Sequence, residues 1–346
     1  MSVFEAMTSE GGHEQVVFCE DKRAGLKAII AIHDTTLGPG MGGCRFWPYA
    51  SDRDALTDVL RLSRGMTYKS ALAGLPLGGG KAVVIGDARR VKTPQLLQAL
   101  GRAIDRLGGR YITAEDVGTS PDDMAHIATT TRFVAGIDSH GISGDPSPYT
   151  ARGVFLGIRA AVRHRLGADT LAGVHVAVQG LGHVGQALCE DLHAAGARLT
   201  VTDIATERCH RLAARLGAQA VAPEAIYDVV ADVFAPCALG AIINESTLPR
   251  LKVAIIAGAA NNQLATGDLA LVLKSHGILY APDYAINAGG MIRVCREYLG
   301  NTDSVDDEVV KIYDTLSHLF AMADDHNIST LEAADARARA RLTNGR

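Results

Sequence analysis

Apolar runs without polar alternation dominate the chain after Gly173. They read VHVAVQ, RLTV, DVFAP, VAIIAG and ILYAP, and helical patterns such as GQALCEDLHAAG lie between the first of them. Strands that are apolar on both faces are typical of a parallel sheet covered by helices. The second half of the chain is therefore predicted to be a doubly wound α/β domain of the Rossmann type.

The first 145 residues mix short β-branched runs with amphipathic helical patterns. EQVVFCE and LKAIIAIH have strand character, whereas Ala55, Val59 and Leu62 recur on one face of DRDALTDVLRLSRGM. This mixture predicts a separate α/β domain over residues 1–145.

The segment GISGDPSPY, residues 141–149, is predicted to be a domain boundary. It contains two glycines, two prolines and two serines, a composition typical of a loop or hinge. We assign residues 146–285 to the doubly wound domain. From about Ile286 the pattern is helical to the end, and the helices of residues 286–346 are expected to pack back toward the first domain.

Composition narrows the class of protein. The chain has 346 residues, 47% of them hydrophobic, and a formal net charge of −4, which suits two domains with substantial cores. Slight acidity argues against a nucleic-acid surface, and the longest apolar runs are too short to span a bilayer. The six cysteines form no C-x-x-C pair, so neither a metal site nor a disulfide framework is expected, and the thiols suit a cytoplasmic protein.

The segment VAVQGLGHVGQAL carries Gly180, Gly182 and Gly185 in the G-x-G-x-x-G arrangement. It lies between a predicted buried strand and a helix, and Asp203 ends the next strand 23 residues after Gly180. This context predicts a dinucleotide site in which the glycines let a pyrophosphate approach the helix N-terminus. The Asp203 carboxylate would accept from the adenosine ribose and repel a 2′-phosphate, which favours NAD over NADP. The alternative is a glycine-rich turn with a capping aspartate.

Two lysines, Lys69 and Lys81, flank the apolar and glycine-rich part of KSALAGLPLGGGKAV. The glycines do not form a nucleoside triphosphate loop, because Leu75 replaces the first glycine of G-x-x-x-x-G-K-[ST] and Ala82 follows Lys81. They would instead let the backbone and a small ligand come close, while the strand KAVVIG anchors Lys81. A solvated surface position is the alternative for Lys69.

Further candidate groups lie at strand ends and glycine turns. RYITAEDVGTS places Glu115 and Asp116 at the end of a predicted strand, where catalytic carboxylates are often found. The alternative role for Asp116 is a helix or turn cap. LGPGMGGCR offers a glycine turn beside Met41, and the amide-rich loops AGAANNQL and YAPDYAINAGG end later strands. Strand C-termini in doubly wound sheets face the ligand crevice.

Taken together, these segments resemble the amino-acid dehydrogenases of the glutamate/leucine/phenylalanine/valine family. The resemblance lies in HDTTLGPGMGGCR, GMTYKSALAGLPLGGGKAV, GGRYITAEDVGTS, GDPSPYTARGV, VQGLGHVG, DVFAPCALGAIIN, AGAANNQL and ILYAPDYAINAGG. The segments occur in the family's order and cover nearly the whole chain. The resemblance implies reversible, NAD-dependent oxidative deamination of an L-amino acid to a 2-oxo acid and ammonium.

The resemblance also implies roles for individual residues. Lys69 would bind the substrate α-carboxylate, and Lys81 would activate a water and stabilise the carbinolamine oxyanion. Asp116 would move protons to and from the amino group, Asn262 would lie near substrate and nicotinamide, and Thr150 would hold the nicotinamide carboxamide. The implied cofactor contacts comprise Thr150, Gly180, Leu181, Gly182, His183, Val184, Gly185, Asp203, Cys237, Ala238, Asn262 and Asn287.

Substrate preference depends on a pocket that the resemblance also implies. In glutamate-specific relatives a lysine at the position of Met41 pairs with the side-chain carboxylate, so glutamate is disfavoured here. A branched aliphatic substrate is expected, with the order among leucine, valine, isoleucine and methionine left open. The substrate-binding set comprises Lys69, Met41, Gly42, Gly43, Ala114, Asn262, Met291 and Val294.

Two other classes of protein remain as alternatives. A dehydrogenase specific for phenylalanine or tryptophan would differ only in its pocket. A non-catalytic NAD-binding regulatory module would keep the glycine loop without needing Lys69, Lys81 and Asp116 together. The expected assembly is a homo-oligomer, a dimer rather than an octamer, because the chain ends sooner after its last helix than long-tailed octameric relatives. The two domains are expected to close over the substrate.

Overall fold

The computed structural model of the chain describes residues 2–137 and 145–345 and divides into two compact units. Residues 141–144 of the predicted hinge lie outside the described residues. Unit 1 contains Met1–Gly144, Val294–Thr302 and Ala338–Arg346, and unit 2 contains Asp145–Arg293 and Asp303–Arg337.

Unit 1 is an α/β structure built on a mixed sheet. Its elements are α1 (Val3–Ser9), β1 (Gln15–Asp21), β2 (Leu26–Asp34), β3 (Gly40–Trp47), α2 (Asp52–Leu72), β4 (Gly78–Ile85), α3 (Ala88–Val91), α4 (Pro94–Asp105), β5 (Tyr111–Glu115) and α5 (Pro121–Ala128). The five strands lie in the order β1-β2-β4-β3-β5. Strand β2 is antiparallel to β1 and β4, whereas β3 is parallel to β4 and β5.

Helices cover both faces of this sheet. Successive side chains of β2 point to opposite faces, so alternate residues pack against different helices. Ile30 and Ile32 join the apolar cluster that includes α4, whereas Ile29 and Ala31 join the cluster that includes α2. Val83 of β4 lies on the α2 face as well. Because side chains alternate along a strand, Lys81, two residues before Val83, also lies on the face that α2 covers.

Unit 2 is a doubly wound α/β structure. Its elements are α6 (Ser147–Leu166), β6 (His175–Gln179), α7 (His183–Ala194), β7 (Arg198–Thr202), α8 (Thr206–Leu216), β8 (Gln219–Ala220), β9 (Val233–Pro236), β10 (Ile255–Ile256), α9 (Leu269–Ser275), β11 (Leu279–Tyr280), α10 (Asp283–Ile286) and α12 (Val305–Asp325), with 3₁₀ turns at Pro223–Asp228 and Leu248–Arg250. Helices α11 (Gly289–Tyr298) and α13 (Thr330–Asn344) begin in unit 2, and their C-terminal parts belong to unit 1. The strands lie in the order β11-β10-β9-β6-β7-β8 and pair in parallel. The prediction of a parallel sheet from uninterrupted apolar runs is confirmed.

The C-terminal helices divide between the units differently from the expectation that they all pack toward the first domain. Helix α12 belongs to unit 2, and only Val294–Thr302 and Ala338–Arg346 belong to unit 1. The reason lies in two glycines of α6. A Cβ at Gly153 would lie 2.7 Å from Ile312 Cδ1, and one at Gly157 would lie 2.7 Å from Leu316 Cδ1. Helix α12 therefore packs into the space that these glycines leave on α6.

The described residues were compared with the requirements of a membrane span, a metal site and a disulfide. None of their helices is long and apolar enough to cross a membrane, and they hold no cluster of three or more side chains suited to a metal ion. All six cysteines are free thiols.

Truncation of Leu316, which is fully buried between α12 and α6, is expected to destabilise unit 2. Leu316→Ala should lower the unfolding free energy by about 2–5 kcal/mol, because a cavity replaces packed methyl groups. Val310→Ala on the same helix, where the side chain is 49% exposed, should change it by less than about 0.5 kcal/mol. Thermal unfolding followed by circular dichroism compares the two variants, and equal midpoints would contradict the packing described here.

Candidate active site

The three glycines before Lys81 allow β4 to lie directly against α2 and the neighbouring strands. A Cβ at Gly79 would lie 2.1 Å from Thr67 Oγ1 and 2.2 Å from the Thr67 backbone nitrogen, and a Cβ at Gly80 would lie 2.6 Å from the ring of Tyr111. Any side chain at these positions would force the helix or the strand away. The close packing buries Lys81, which is 5% exposed, on the sheet face covered by α2.

Lys69 lies in the last turn of α2 and is 9% exposed, so the alternative of a solvated surface lysine is wrong. A buried lysine is uncommon, because an ammonium loses much of its hydration there. The helix also carries Thr67, whose atoms contact the Gly79 position of β4.

Asp116 lies directly after β5 and forms ion pairs with two cations. Its Oδ1 is 3.2 Å from Lys81 Nζ, and its Oδ2 accepts a hydrogen bond of 2.9 Å from Arg45 Nε. Burial by itself would raise the pKa of this carboxyl, but the charges of Lys81 and Arg45 outweigh burial and lower it. Asp116 is therefore a carboxylate held against an ammonium. The capping alternative fails, since Ser120 caps the next helix, α5.

Arg45 and Asp58 were not among the residues predicted from the sequence. Arg45 NH1 forms an ion pair of 3.0 Å with Asp58 Oδ2 from α2, and Tyr49 OH donates to the same oxygen at 2.5 Å. Strand alternation was the available signal, because it places Arg45 on the same side of β3 as Gly43, which pairs with β5, and Asp116 directly follows β5.

The predicted pocket residues are distributed over both units. Met41, in β3, is fully buried and lies opposite Gly79 of β4 and Ile112 of β5. Gly43 lies opposite Ala114 of β5, and a Cβ there would be 2.4 Å from the Glu115 carbonyl oxygen. Met41, Gly42, Gly43, Lys69, Lys81, Ala114, Asp116 and Val294 belong to unit 1, and Asn262 and Met291 belong to unit 2.

The glycine loop of unit 2 has the backbone geometry that a dinucleotide requires. Gly180 has φ +93°, and a Cβ at Gly185 would lie 2.0 Å from the Gly180 carbonyl oxygen, so both positions exclude a side chain. At Gly182, by contrast, a Cβ would meet no atom within 4 Å. Helix α7 begins directly after Gly182 with no side-chain cap. Its first N–H groups are therefore placed to bind a phosphate.

Asp203 connects the end of β7 to the glycine loop. Its Oδ2 accepts from the Leu181 backbone nitrogen at 2.6 Å, and its Oδ1 accepts from the Ala205 backbone nitrogen at 2.7 Å. On the other side of the loop, Ala238 packs against Gly180, where an added Cβ would lie 2.7 Å from the Ala238 Cβ. The loop is thus fixed on both sides.

The predicted nicotinamide end of the site contains an unsatisfied acceptor. Asn287 Nδ2 donates to Ala259 O at 3.0 Å and to Asn261 Oδ1 at 2.8 Å, while Asn287 Oδ1 is buried without a partner among the described residues. Asn262 has φ +51°, a conformation that asparagine tolerates better than most residues. An orphaned carbonyl oxygen fits the donor of a carboxamide, so these residues and the glycine loop suit a nicotinamide dinucleotide.

The remaining predicted cofactor residues surround the same loop. Leu181 is fully buried, Val184 and Cys237 are partly buried, and His183 is exposed with its Nδ1 3.4 Å from Asp145 Oδ2. Thr150 Oγ1 donates to the Pro146 carbonyl oxygen at 3.3 Å.

The chain combines a doubly wound unit that carries an uncapped glycine loop with a second unit that buries a lysine–carboxylate pair, and this combination defines a nucleotide-dependent oxidoreductase. Two family models support this class. Residues 13–133 match the Glu/Leu/Phe/Val dehydrogenase, dimerisation domain, and residues 200–343 match the Glutamate/Leucine/Phenylalanine/Valine dehydrogenase model.

Individual proteins with similar sequences and structures agree with the models. Leucine dehydrogenase of Thermoactinomyces intermedius is 52% identical over 344 residues, which cover 99% of this chain and 94% of that protein. L-tryptophan dehydrogenase of Nostoc punctiforme is 49% identical over 348 residues, covering 100% and 98%. The crystal structure of L-tryptophan dehydrogenase from Nostoc punctiforme has a TM-score of 0.86 at 47% identity, with 99% of each chain covered. This chain belongs to the glutamate/leucine/phenylalanine/valine dehydrogenase family. It is an amino-acid dehydrogenase that acts on CH–NH₂ donors, with NAD as cofactor.

Two glycine substitutions in the loop are expected to separate folding from cofactor binding. Gly185→Ala should weaken NADH binding and lower the thermal midpoint, because its Cβ overlaps the Gly180 carbonyl oxygen. Gly182→Ala, in open space at φ −67°, should change the midpoint by less than about 2 °C yet raise the Kd for NADH about 10-fold or more. Calorimetry without cofactor and fluorescence titration with NADH measure the two effects. Unchanged NADH affinity in both variants would contradict the assignment of the loop.

Proposed function

We propose that the protein is a leucine dehydrogenase that converts branched aliphatic L-amino acids, reversibly and with NAD, to 2-oxo acids and ammonium. The observation that carries the proposal is the buried contact of 3.2 Å between Lys81 and the Asp116 carboxylate. An ammonium and a carboxylate in contact can exchange a proton with each other and with a substrate amine or water. A relative at 52% identity is a leucine dehydrogenase, which supports the aliphatic substrate.

The two lysines take separate roles in the proposed reaction. Lys69 binds the α-carboxylate, which carries its charge through the whole reaction. NAD, when bound, would supply the acceptor for the hydride that leaves the substrate Cα, so that the substrate becomes an iminium. Lys81, in the form that has lost its proton to solvent, accepts a proton from the water that attacks the iminium carbon. The ammonium that it then becomes stabilises negative charge on the carbinolamine oxygen.

Asp116 completes the proton transfers. Its carboxylate accepts a proton from the substrate ammonium before oxidation and returns one to the amino group as the C–N bond breaks. The departing ammonia takes the proton of the carbinolamine hydroxyl and leaves as ammonium, and the carbonyl of the 2-oxo acid remains. Because Lys81 and Arg45 keep the pKa of Asp116 low against the effect of burial, the group starts the deamination as a base.

An apolar pocket sets the proposed substrate preference. Met41 is fully buried and has no charge to offer a γ-carboxylate, so glutamate would leave an unpaired charge in the pocket. Ala114 and Val294, which belong to the same unit as Met41, complete the side-chain pocket in the proposal. A dehydrogenase for an aromatic amino acid is the second candidate, because the flexible Met41 can adapt to a larger side chain and a relative at 49% identity is an L-tryptophan dehydrogenase.

Asp203 supports NAD rather than NADP as the cofactor. Its carboxylate ends β7 beside the glycine loop, and a 2′-phosphate there would place like charges together. We further propose a homodimer in the cytoplasm. The match to a dimerisation domain, the position of β1 at the edge of its sheet and Phe18 of that strand, 56% exposed, support the dimer. The six free thiols support the cytoplasmic location, because disulfides are rare in that compartment.

Substitution of each lysine is expected to change a different kinetic parameter. Lys69→Ala should raise KM for the amino acid roughly 10²-fold, because the carboxylate is bound alike in ground and transition states. Lys81→Ala should lower kcat by about 10²-fold or more, since charge develops there only during the reaction. Steady-state kinetics on both variants measures the split, with NADH affinity retained in each.

Lys27→Ala serves as the matched control, because Lys27 forms an exposed ion pair with Asp52 in the same unit. It should resemble wild type in both parameters. A Lys81→Ala variant with wild-type kcat would show that the lysine is structural and would overturn the mechanism.

A panel of amino acids tests the substrate directly. Leucine, valine and isoleucine should have the highest kcat/KM with NAD, glutamate should be close to background, and NADP should replace NAD poorly. Absorbance of NADH at its near-ultraviolet band follows each reaction. Tryptophan or phenylalanine ranking first would favour the second candidate, and glutamate ranking first would contradict the pocket.

A further inference from the structure

Four charged side chains of unit 1 form a row in which the signs alternate. Lys81 contacts Asp116 Oδ1 at 3.2 Å, Asp116 Oδ2 contacts Arg45 Nε at 2.9 Å, and Arg45 NH1 contacts Asp58 Oδ2 at 3.0 Å. Tyr49 OH ends the row with a hydrogen bond to Asp58 at 2.5 Å. The row therefore extends from the proposed catalytic pair to two residues that the proposed mechanism does not use.

The two oxygens of Asp116 are divided between two partners. Rotation of the carboxyl would break the contact with Lys81 and the hydrogen bond from Arg45 together. The Arg45 guanidinium is itself fixed, because its Nε and NH1 point to carboxylates from different elements, Asp116 after β5 and Asp58 in α2. A planar guanidinium that binds two carboxylates at once has little rotational freedom.

The backbone of Asp116 is held as firmly as its side chain. Its N–H donates to Thr119 Oγ1 at 2.9 Å, and Thr119 Oγ1 donates in turn to the Cys44 carbonyl oxygen at 3.0 Å. At Gly43 an added Cβ would lie 2.7 Å from the Asp116 Cβ. Main-chain contacts thus place Asp116 against β3, and the remaining freedom of its side chain is controlled by Arg45 and Lys81.

Three other titratable groups that interact electrostatically with Asp116, namely Cys44, Tyr111 and Tyr49, carry no charge at neutral pH. Burial raises the pKa of Cys44 to about 12, and it raises the pKa values of Tyr111 and Tyr49 well above their ordinary value. Hydrogen bonding to Asp58 contributes to the shift at Tyr49. The positive charges next to the Asp116 carboxylate are therefore those of Lys81 and Arg45, and Asp58 balances part of the charge of Arg45.

We propose that Arg45, held in place by Asp58 and Tyr49, is a positioning residue that directs one oxygen of Asp116 toward Lys81 and keeps the group as a carboxylate. The proposal rests on the function proposed above and extends it to three residues. Without Arg45, both oxygens of Asp116 would be available to Lys81. The tighter ion pair would hold the lysine away from water, while the carboxyl would become protonated more readily.

Kinetics on three variants tests this proposal. Arg45→Gln is expected to lower kcat by about 10- to 100-fold with less than about a threefold change in KM, since proton transfer rather than binding is impaired. The acidic limb of the kcat–pH profile should move to higher pH. We expect this direction because Arg45 lowers the pKa of Asp116. Without the Arg45 charge, the Asp116 carboxylate becomes protonated at higher pH. Tyr49→Phe should show the same shift to a smaller extent, because it loosens Asp58 and through it Arg45. Asp58→Asn should lower kcat without this shift, because it also removes a negative charge that balances Arg45.

Arg110→Gln is the matched control. Arg110 belongs to the same unit and pairs with Glu14 at 2.8 Å, and neither residue belongs to the row. Its kcat and pH profile should equal those of wild type. If Arg45→Gln and Tyr49→Phe lose activity without a change in the pH profile while the control keeps both, Arg45 is only structural and the proposal is overturned.

A readout independent of activity separates this proposal from the proposed function. Protein labelled with ¹³C at the aspartate Cγ, with the Asp116 resonance assigned from Asp116→Asn, reports protonation of the carboxyl by NMR. The midpoint for Asp116 should lie below the ordinary aspartate range in wild type and rise in Arg45→Gln or, should that variant not fold, in Tyr49→Phe. An unchanged midpoint overturns the positioning role. Wild-type protein that titrates as expected but oxidises no amino acid would instead refute the proposed function alone.

Discussion

The close approach of strand β4 to helix α2 is the constraint on which the buried charges of unit 1 depend. At Gly79 the two backbones leave no room for a Cβ, because Thr67 occupies the space within 2.2 Å. Lys81 follows on the same face of the strand, and Lys69 follows Thr67 on the helix. Two lysines are thereby buried on elements that cannot move apart without opening the core that Val83 and Ala31 share with α2. Rigid support of this kind is what a proton-transfer site requires.

The buried charges of unit 1 are stabilised by neighbouring side chains of opposite charge rather than by solvent. Each cation of the row from Lys81 to Asp58 contacts at least one carboxylate, which offsets the loss of hydration that burial imposes. The consequence for chemistry is a carboxylate that stays ionised although it is almost enclosed by protein. Asp116 has two partners of different shape: the Lys81 ammonium is a single point charge, whereas the planar Arg45 guanidinium also reaches Asp58.

In unit 2 the lack of a Cβ on glycine serves a different purpose, namely the closure of a turn and the approach of a ligand to a helix. Gly185 has to lack a Cβ so that the turn can close on Gly180, and Gly182 leaves an open space before an uncapped helix. Asp203 fixes the loop through the Leu181 backbone nitrogen, so that the residue predicted to select the cofactor also supports the turn. Asn287, with one buried oxygen unsatisfied, is prepared for a ligand that donates a hydrogen bond.

Two features of this protein, the parallel sheet and the glycine loop of unit 2, could be predicted from the order of residues along the chain. Uninterrupted apolar runs indicated the parallel sheet of unit 2, and the spacing of Gly180, Gly182 and Gly185 indicated its loop, because strand burial and tight turns are set by neighbouring residues. Two other features, the partner of Arg45 and the unit to which α12 belongs, depend on contacts between distant segments and became known only from the tertiary structure. Arg45 meets Asp116 across 71 positions because β3 and β5 pair in one register, and α12 joins unit 2 because Gly153 and Gly157 leave space on α6. Strand alternation indicates the side of β3 on which Arg45 lies, but the local pattern names the partner in neither contact, since register and packing arise only when the elements are assembled.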